Sequence, residues 1–329
     1  MARKVSQHRI FDLTVTLNVV AVVCTLRSTI FPSGDEAIPN VSTPIGHLLQ
    51  TVQLRIPVFA ALIWALAIIV AGLNAGRYGV RLSLYPAYTL MGISLFGVVA
   101  TAVMVSGDYL LSAVAMAVML LATKYMQRFI MRSGTFSDLS LSMLYFGLLP
   151  LVYAPAALFY VALPIIVLFV RASWRDELVT LASLLFPPAA ICYWSWCAGK
   201  GFVEPAIQIY NAVFTPSEFS FFGTINPASV LLLGVLLVMT MCALTLIISD
   251  KYSLKVKSRV AMQFNGLMLA LLVGMFFLPS CTATQFALFA VPVSMMLPLI
   301  FVRMGTGFTE TMYRLLLLAV ALNCVVMCL

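Results

Sequence analysis

Eleven apolar runs, each close to the length of a membrane-crossing helix, occupy most of the chain. They lie at about residues 11–31, 56–75, 83–105, 109–126, 139–153, 156–170, 178–197, 229–248, 260–279, 285–302 and 313–329. Crossing a bilayer takes about 20 apolar residues, and a helix bonds its backbone polar groups internally. The runs predict an all-α, polytopic transmembrane helical bundle of ten or eleven spans, in a single integral membrane domain over residues 1–329.

The composition excludes the other broad classes of protein. Apolar residues make up 63% of the chain and charged residues only 9%, whereas soluble domains carry about 25% charged residues. A disordered chain has the opposite balance, with few apolar and many charged residues. The formal net charge is +8, but we expect no nucleic-acid partner and interpret the basic residues as topology signals.

The fifth and sixth runs are short and contain Pro150, Pro155 and Pro164. They predict either two spans or a re-entrant pair, and either choice leaves the orientation of the later runs unchanged. The first run follows MARKVSQHR without a clear cleavage site, so we expect an uncleaved first span.

Lysine and arginine alternate between the two sides of the predicted bundle. With the N-terminus in the cytoplasm, sixteen of the 19 basic residues lie on the cytoplasmic side, and only Arg27, Arg55 and Lys200 lie on the other. Cytoplasmic loops are enriched in these residues. The pattern predicts a multi-pass membrane protein with its N-terminus in the cytoplasm and with cytoplasmic segments at 76–82, 124–138, 171–177, 250–259 and 303–314.

The first outer loop holds the most site-like cluster of the sequence. Asp35 and Glu36 follow a turn just past the first span, and Arg27 lies near the outer boundary of that span. A charge inside a span indicates a functional site, and the position of Arg27 near the interface weakens that indication. The alternative is a solvated turn beside an arginine whose side chain reaches the interface.

Residues 44–54 of the same loop have the pattern of a short amphipathic helix that lies in the outer interface. Its apolar residues recur at helical spacing on one face, namely Ile45, Leu48, Leu49 and Val52. His47, Gln50 and Gln53 fall off that face. We therefore expect this helix to lie flat on the outer surface, because its apolar stripe is about one face wide.

Two further outer segments carry charged residues. Asp108 is the single charge of the second outer loop, either a catalytic acid or a helix cap that contributes about 0.5–2 kcal/mol. The segment 198–228 holds Lys200, Glu204 and six aromatic residues, and a second interfacial helix is predicted at 205–214. The aromatic residues suit a headgroup belt, and the alternative is a groove for a lipid substrate.

The seven cysteines include no CxxC pair, and buried membrane thiols behave as small apolar groups. The chain contains no HExxH, GxSxG or phosphate-binding glycine loop. No cofactor is therefore evident, and a divalent metal has no support from a motif.

The middle of the chain, about residues 108–198, resembles an uncharacterised family of multi-spanning inner-membrane proteins from Bacteroidota. The matching features are the Asp108 helix that ends in Lys124 and Arg128, the FxD element Phe136–Asp138, the Tyr153-x-Pro155 element, and the arginine-rich turn before Pro187-Pro188.

The layout is also similar to membrane glycosyltransferases of the C-superfamily, over a module of about residues 1–198, with additional spans at 229–329. Those enzymes use polyprenyl-phosphate sugars and place acids in the first two outer loops, on either side of a short interfacial helix. The resemblance implies Asp35 or Glu36, with Asp108, as catalytic acids. The chain differs in its very short second outer loop, in having no DxD pair and in having no large soluble domain.

In this interpretation a first-loop carboxylate deprotonates or positions the acceptor hydroxyl. Basic residues then hold the phosphate of the lipid-linked sugar. The candidate substrate-binding residues are Arg27, His47, Arg55, Lys200 and Glu204.

Two other functions fit the sequence. One is a non-enzymatic assembly factor that docks a membrane-protein partner on its apolar helices. The other is a carrier for a lipid or small solute, for which Asn265 and Asn323 are the polar candidates inside the spans. Carriers usually show polar groups near the midplane and broken helices. In every case membrane lipids are expected partners.

Overall fold

The computed structural model describes residues 2–30, 43–82, 84–85, 89–103, 108–131, 135–170, 173–217, 225–249 and 255–328, which form helices and no strand. The helices are α1 (Ala2–Ile30), α2 (Pro44–Arg55), α3 (Pro57–Arg81), α4 (Met91–Ala100), α5 (Tyr109–Met131), α6 (Phe136–Val152), α7 (Leu158–Val170), α8 (Trp174–Cys197), α9 (Glu204–Phe214), α10 (Pro227–Ser249), α11 (Val256–Met275), α12 (Thr284–Met296), α13 (Pro298–Arg303) and α14 (Thr306–Cys328). A 3₁₀ turn (Ala154–Ala157) links α6 to α7.

Seven of the described helices are long and apolar enough to cross a membrane: α3, α5, α8, α10, α11, the continuous pair α12–α13, and α14. Shorter apolar segments lie in α1, α4, α6 and across the 3₁₀ turn and α7. The prediction of an all-α bundle compatible with an integral membrane protein is therefore confirmed. The exact number of spans, ten or eleven, stays a prediction.

Hydrogen bonds between helix ends define two ends of the bundle. At the first, which we call the Asp108 end, the Thr43 hydroxyl donates to the Val152 carbonyl (2.9 Å), and the Thr282 amide donates to the Tyr153 hydroxyl (3.2 Å). At the second, the Lys124 end, the Lys257 ammonium donates to the Met131 carbonyl (3.1 Å). These contacts join segments that the alternation of basic residues assigns to the same side.

Helices α6 and α7 form an antiparallel pair between the two ends. An ion pair joins Arg128 of α5 to Asp138 at the start of α6 (3.6 Å), and the Thr43 bond holds the end of α6. The chain then returns in α7, where the Tyr160 hydroxyl donates to the Gly147 carbonyl (2.9 Å). Helix α6 thus extends from the Arg128 ion pair to the Thr43 bond, and α7 leads the chain back beside it.

The short helix α4 lies at the centre of the bundle against α1, α3 and α12. Every residue of α4 except Ile93 is buried. A β-carbon added at Gly92 would lie 3.4 Å from the Ser294 carbonyl oxygen and 3.5 Å from the Gly76 α-carbon, so small residues permit this close approach. Ten helical residues span about 15 Å, so α4 is shorter than the predicted 83–105 run.

Large apolar side chains are exposed on the outside of the bundle. On α3 they include Leu62 and Leu66, and on α10 Leu237. Lipid chains are as apolar as these side chains. This distribution is compatible with a membrane-embedded protein.

Candidate functional site

Helix α2 forms at Pro44–Arg55, which confirms the helix predicted at 44–54. Thr43 has extended backbone angles, and its side chain does not cap α2. Its hydroxyl bonds Val152 instead. A helix start joined in this way to the end of α6 is held in place at the Asp108 end.

Helix α2 turns small and polar residues toward the bundle. Gly46 and Gln53 are buried, whereas Leu48 and Val52 of the predicted apolar face are exposed. Gln53, which lies off the apolar face, is therefore enclosed by the neighbouring helices. Helix α2 packs against α3, α5 and α6, so close packing and hydrogen bonding determine which residues lie on its inner face. Leu48 and Val52 lie on the outer face, away from these helices.

Gln53 binds the start of α5. Its side-chain oxygen accepts a hydrogen bond from the Leu110 amide (3.1 Å). The Tyr109 hydroxyl, from the residue before Leu110, donates to the carbonyl of Pro57 at the start of α3 (2.9 Å). The end of α2, the start of α3 and the start of α5 are thus joined around Asp108.

Asp108 is the buried carboxyl of this end, with only 4% of its surface exposed. Its backbone carbonyl accepts the Ser112 amide (2.9 Å). Within the described residues, its Oδ1 has no hydrogen-bond partner, and Gln53 takes the Leu110 amide, one of the two amides that a capping carboxylate would bind. Burial raises the pKa of the Asp108 carboxyl to about 7, which is the range of a general base.

Helix α9 lies at the same end and contacts α2, α8 and the 3₁₀ turn. It spans Glu204–Phe214, as predicted, and buries Pro205, Ile209 and Ala212. Its exposed residues form an apolar stripe of Ile207, Tyr210 and Phe214 and a polar stripe of Glu204, Gln208 and Asn211. This arrangement is typical of a helix at a membrane interface.

The other predicted site residues are exposed or outside the described ranges. Arg27, His47, Arg55, Lys200 and Glu204 are all exposed, and no described ion pair joins them to Asp108. Arg55 follows Gln53 by two residues on α2. Asp35 and Glu36 lie outside the described residues, so their approach to Asp108 stays a prediction.

A second buried polar group lies inside the bundle, between α5, α11 and α12. The Gln127 amide nitrogen donates to the Asn265 side-chain oxygen (3.2 Å) and lies 2.8 Å from the Met295 sulfur. Both amides are fully buried, and among the described atoms Gln127 Oε1 and Asn265 Nδ2 have no partner. Asn265 lies in the predicted 260–279 run and was a polar candidate, whereas Gln127 lies just past the 109–126 run and was missed, and their pairing depends on the tertiary structure.

Asn323, the other polar candidate, has a structural explanation. Its side-chain oxygen accepts the Ser229 hydroxyl (2.8 Å), and its nitrogen donates to the Ala102 carbonyl (3.3 Å). It therefore links α14 to α10 and to the end of α4.

No group of three or more His, Cys, Asp or Glu side chains in the described part of the chain is arranged to hold a metal ion. Comparison of the chain with protein-family models, with curated proteins and with solved structures gives no match.

Proposed function

We propose that the chain is a multi-pass inner-membrane protein that transfers a sugar from a polyprenyl-phosphate donor at the Asp108 end of the bundle. The observation that carries the proposal is the buried carboxyl of Asp108 with its unpartnered Oδ1. Two amphipathic helices, α2 and α9, meet at the same end. A base beside an interfacial surface suits a substrate whose reacting group lies at the headgroup level.

In this mechanism the Asp108 carboxylate accepts the proton of the acceptor hydroxyl. The acceptor oxygen forms a bond to the anomeric carbon of the sugar, and the bond from that carbon to the phosphate oxygen breaks. The polyprenyl phosphate leaves with the bonding electron pair. A basic side chain, Arg55 or Lys200, stabilises the charge of the leaving phosphate, and Asp35 or Glu36 positions the acceptor.

The proposal includes eleven crossings with the Asp108 end outside. The charge alternation supports this orientation. The Thr43, Tyr153 and Lys257 contacts support the pairing of helix ends. Because α6 extends from the Arg128 ion pair to the Thr43 bond and the chain then returns in α7, we count both as crossings in preference to a re-entrant pair.

The test is a lipid-linked-sugar profile of cells that lack the gene and are complemented with variants. The deletion should accumulate the donor, and the wild-type chain should restore its normal level. Asp108→Asn should fail to restore it although the variant is made and folds, and Glu310→Gln, which changes an exposed acid, should restore it. Full restoration by Asp108→Asn, or an unchanged profile in the deletion, would overturn the proposal.

The buried amide pair favours a second candidate function, a carrier. Gln127 and Asn265 lie beside α12, which contains Pro292 and continues into α13 at Pro298. Buried polar groups beside proline-interrupted helices are typical of substrate sites in carriers. In the same cells, a carrier should be inactivated by Gln127→Leu combined with Asn265→Leu but should tolerate Asp108→Asn, the reverse of the pattern expected for the transferase.

A further inference from the structure

We propose that the Lys124 end of the bundle carries a binding site for the phosphate group of an anionic phospholipid, formed by Lys124 and Arg128 on a framework of tyrosine rings. This site is separate from Asp108 and the amide pair. It does not depend on the transferase or the carrier proposal.

The Lys124 ammonium is held in place by aromatic rings. It lies 4.9 Å from the centre of the Tyr78 ring and 5.2 Å from that of Tyr125. Tyr78 is buried, and Tyr125 stacks on Tyr145 with 5.8 Å between ring centres. Cation–π contacts hold a cation without neutralising its charge, so the ammonium keeps its capacity to bind an anion.

The local charge balance is positive. In the described part of the chain, Lys124 forms no ion pair with a carboxylate. The neighbouring acid, Asp138, lies 3.6 Å from the Arg128 Nε atom and accepts the Thr135 hydroxyl at 3.0 Å. Two cations therefore face one carboxylate, and one positive charge is left over for a ligand.

Lys124 and Arg128 point the same way. They are four residues apart on α5, a spacing that places side chains on one helix face, and the Arg128 guanidinium carbon lies 5.7 Å from the Tyr125 ring. The helix ends three residues later at Met131. Arg77 is exposed on α3, next to Tyr78. The cations thus cluster where α3 and α5 end.

The position favours a lipid as the source of the phosphate. Helices α3 and α5 are both long and apolar enough to cross a membrane, so their ends lie near the phospholipid headgroups. In the proposed orientation this end faces the cytoplasmic leaflet, and basic pockets between helix ends there bind anionic headgroups. Free inorganic phosphate offers the same chemistry, and the experiment separates the two.

The experiment measures lipid binding by the purified full-length chain with native mass spectrometry. Phosphatidylglycerol should bind in preference to phosphatidylcholine, and Lys124→Gln should weaken phosphatidylglycerol binding about fivefold, the loss expected for one basic residue at an anionic surface. Lys124→Arg should retain binding, and Arg314→Gln, which changes an exposed arginine outside the cluster that is paired with Glu310, should bind as the wild type does.

Three outcomes would overturn the proposal. One is undiminished phosphatidylglycerol binding by Lys124→Gln while the variant keeps the thermal stability of the wild type. The second is equal binding of the zwitterionic and anionic lipids. The third is Lys124-dependent displacement of the lipid by millimolar inorganic phosphate, which would assign the site to a free anion. If Lys124→Gln does not fold, Arg128→Gln provides the same comparison, and normal phosphatidylglycerol binding by that variant would reject the site.

Discussion

At the scale of single residues, the burial of Asp108 determines how stability should depend on pH. Burial raises the pKa of this carboxyl from 3.8 to about 7 in the folded chain. The folded state therefore holds a proton that the unfolded state has lost over this range, and the stabilisation present below 3.8 is lost as the pH rises through about 7.

We expect Asp108→Asn to remove this dependence. Between pH 5 and pH 8 the melting temperature of the wild-type chain in detergent should fall more than that of the variant, because only the wild type must ionise a buried group. Glu310→Gln is the control, since Glu310 is exposed and paired with Arg314. Parallel pH profiles for wild type and Asp108→Asn would contradict the expectation.

The buried amide pair allows a second residue-scale prediction. Gln127→Leu or Asn265→Leu alone leaves the partner without its hydrogen bond, and an unsatisfied buried polar group costs about 1–3 kcal/mol. The double variant removes both groups and should recover much of that loss, because replacing both partners by apolar groups can be nearly neutral. Unfolding free energies of the four proteins form a double-mutant cycle.

If the double variant loses as much unfolding free energy as the two single variants together, the two amides do not stabilise the fold as a pair. Ser294, which bonds only within α12, provides a control through Ser294→Ala. This change should shift stability far less than either single amide variant.

At the scale of helices, Gly147 determines how closely α6 and α8 approach. A β-carbon at this position would overlap the Leu184 carbonyl oxygen and would lie 3.1 Å from the Pro187 side chain. Backbone atoms cannot move aside as a flexible side chain can. Gly147→Ala should therefore push the two helices apart and cost about 1–3 kcal/mol, the usual range for overpacking.

The matched control is Gly234→Ala on α10, where an added β-carbon meets nothing within 4 Å. That change should be neutral or stabilising by about 0.5–1 kcal/mol, because alanine favours a helix over glycine. Thermal unfolding of the two variants compares them directly. Equal melting temperatures would show that α6 and α8 can separate without loss.

At the scale of the whole molecule, the proposed orientation predicts which side of the membrane each end faces. Lys200→Cys and Lys255→Cys change exposed residues in the segments that the charge pattern assigns to opposite sides. In a chain whose seven native cysteines are replaced, a membrane-impermeant maleimide should label Lys200→Cys on intact cells. It should label Lys255→Cys only after the membrane is opened.

Labelling of both variants on intact cells, or the reverse pattern, would reject the orientation. His47→Cys adds a third position, since His47 is exposed on α2. It should label together with Lys200→Cys.

The sequence by itself determined the class of the protein and the positions of most helices. Apolar runs and their charged boundaries are local features, so α5, α8, α10 and α11 begin within a few residues of the predicted spans. The sequence also predicted α2, from the helical spacing of its apolar residues, and the extent of α9. Asp108 was a candidate acid from the sequence because it is the single charged residue of the short second outer loop.

Only the tertiary structure decided which residues are enclosed. Lipid chains and a helix-packed core are equally apolar, so hydropathy does not distinguish a span that faces lipid from one, such as α4, that is buried on all sides. For the same reason the helical spacing of α2 does not show that Gln53 is buried near Asp108, which follows from the packing of α2 against three helices. The Gln127–Asn265 pair joins residues 138 positions apart, and such a contact depends on how the helices pack rather than on any local pattern.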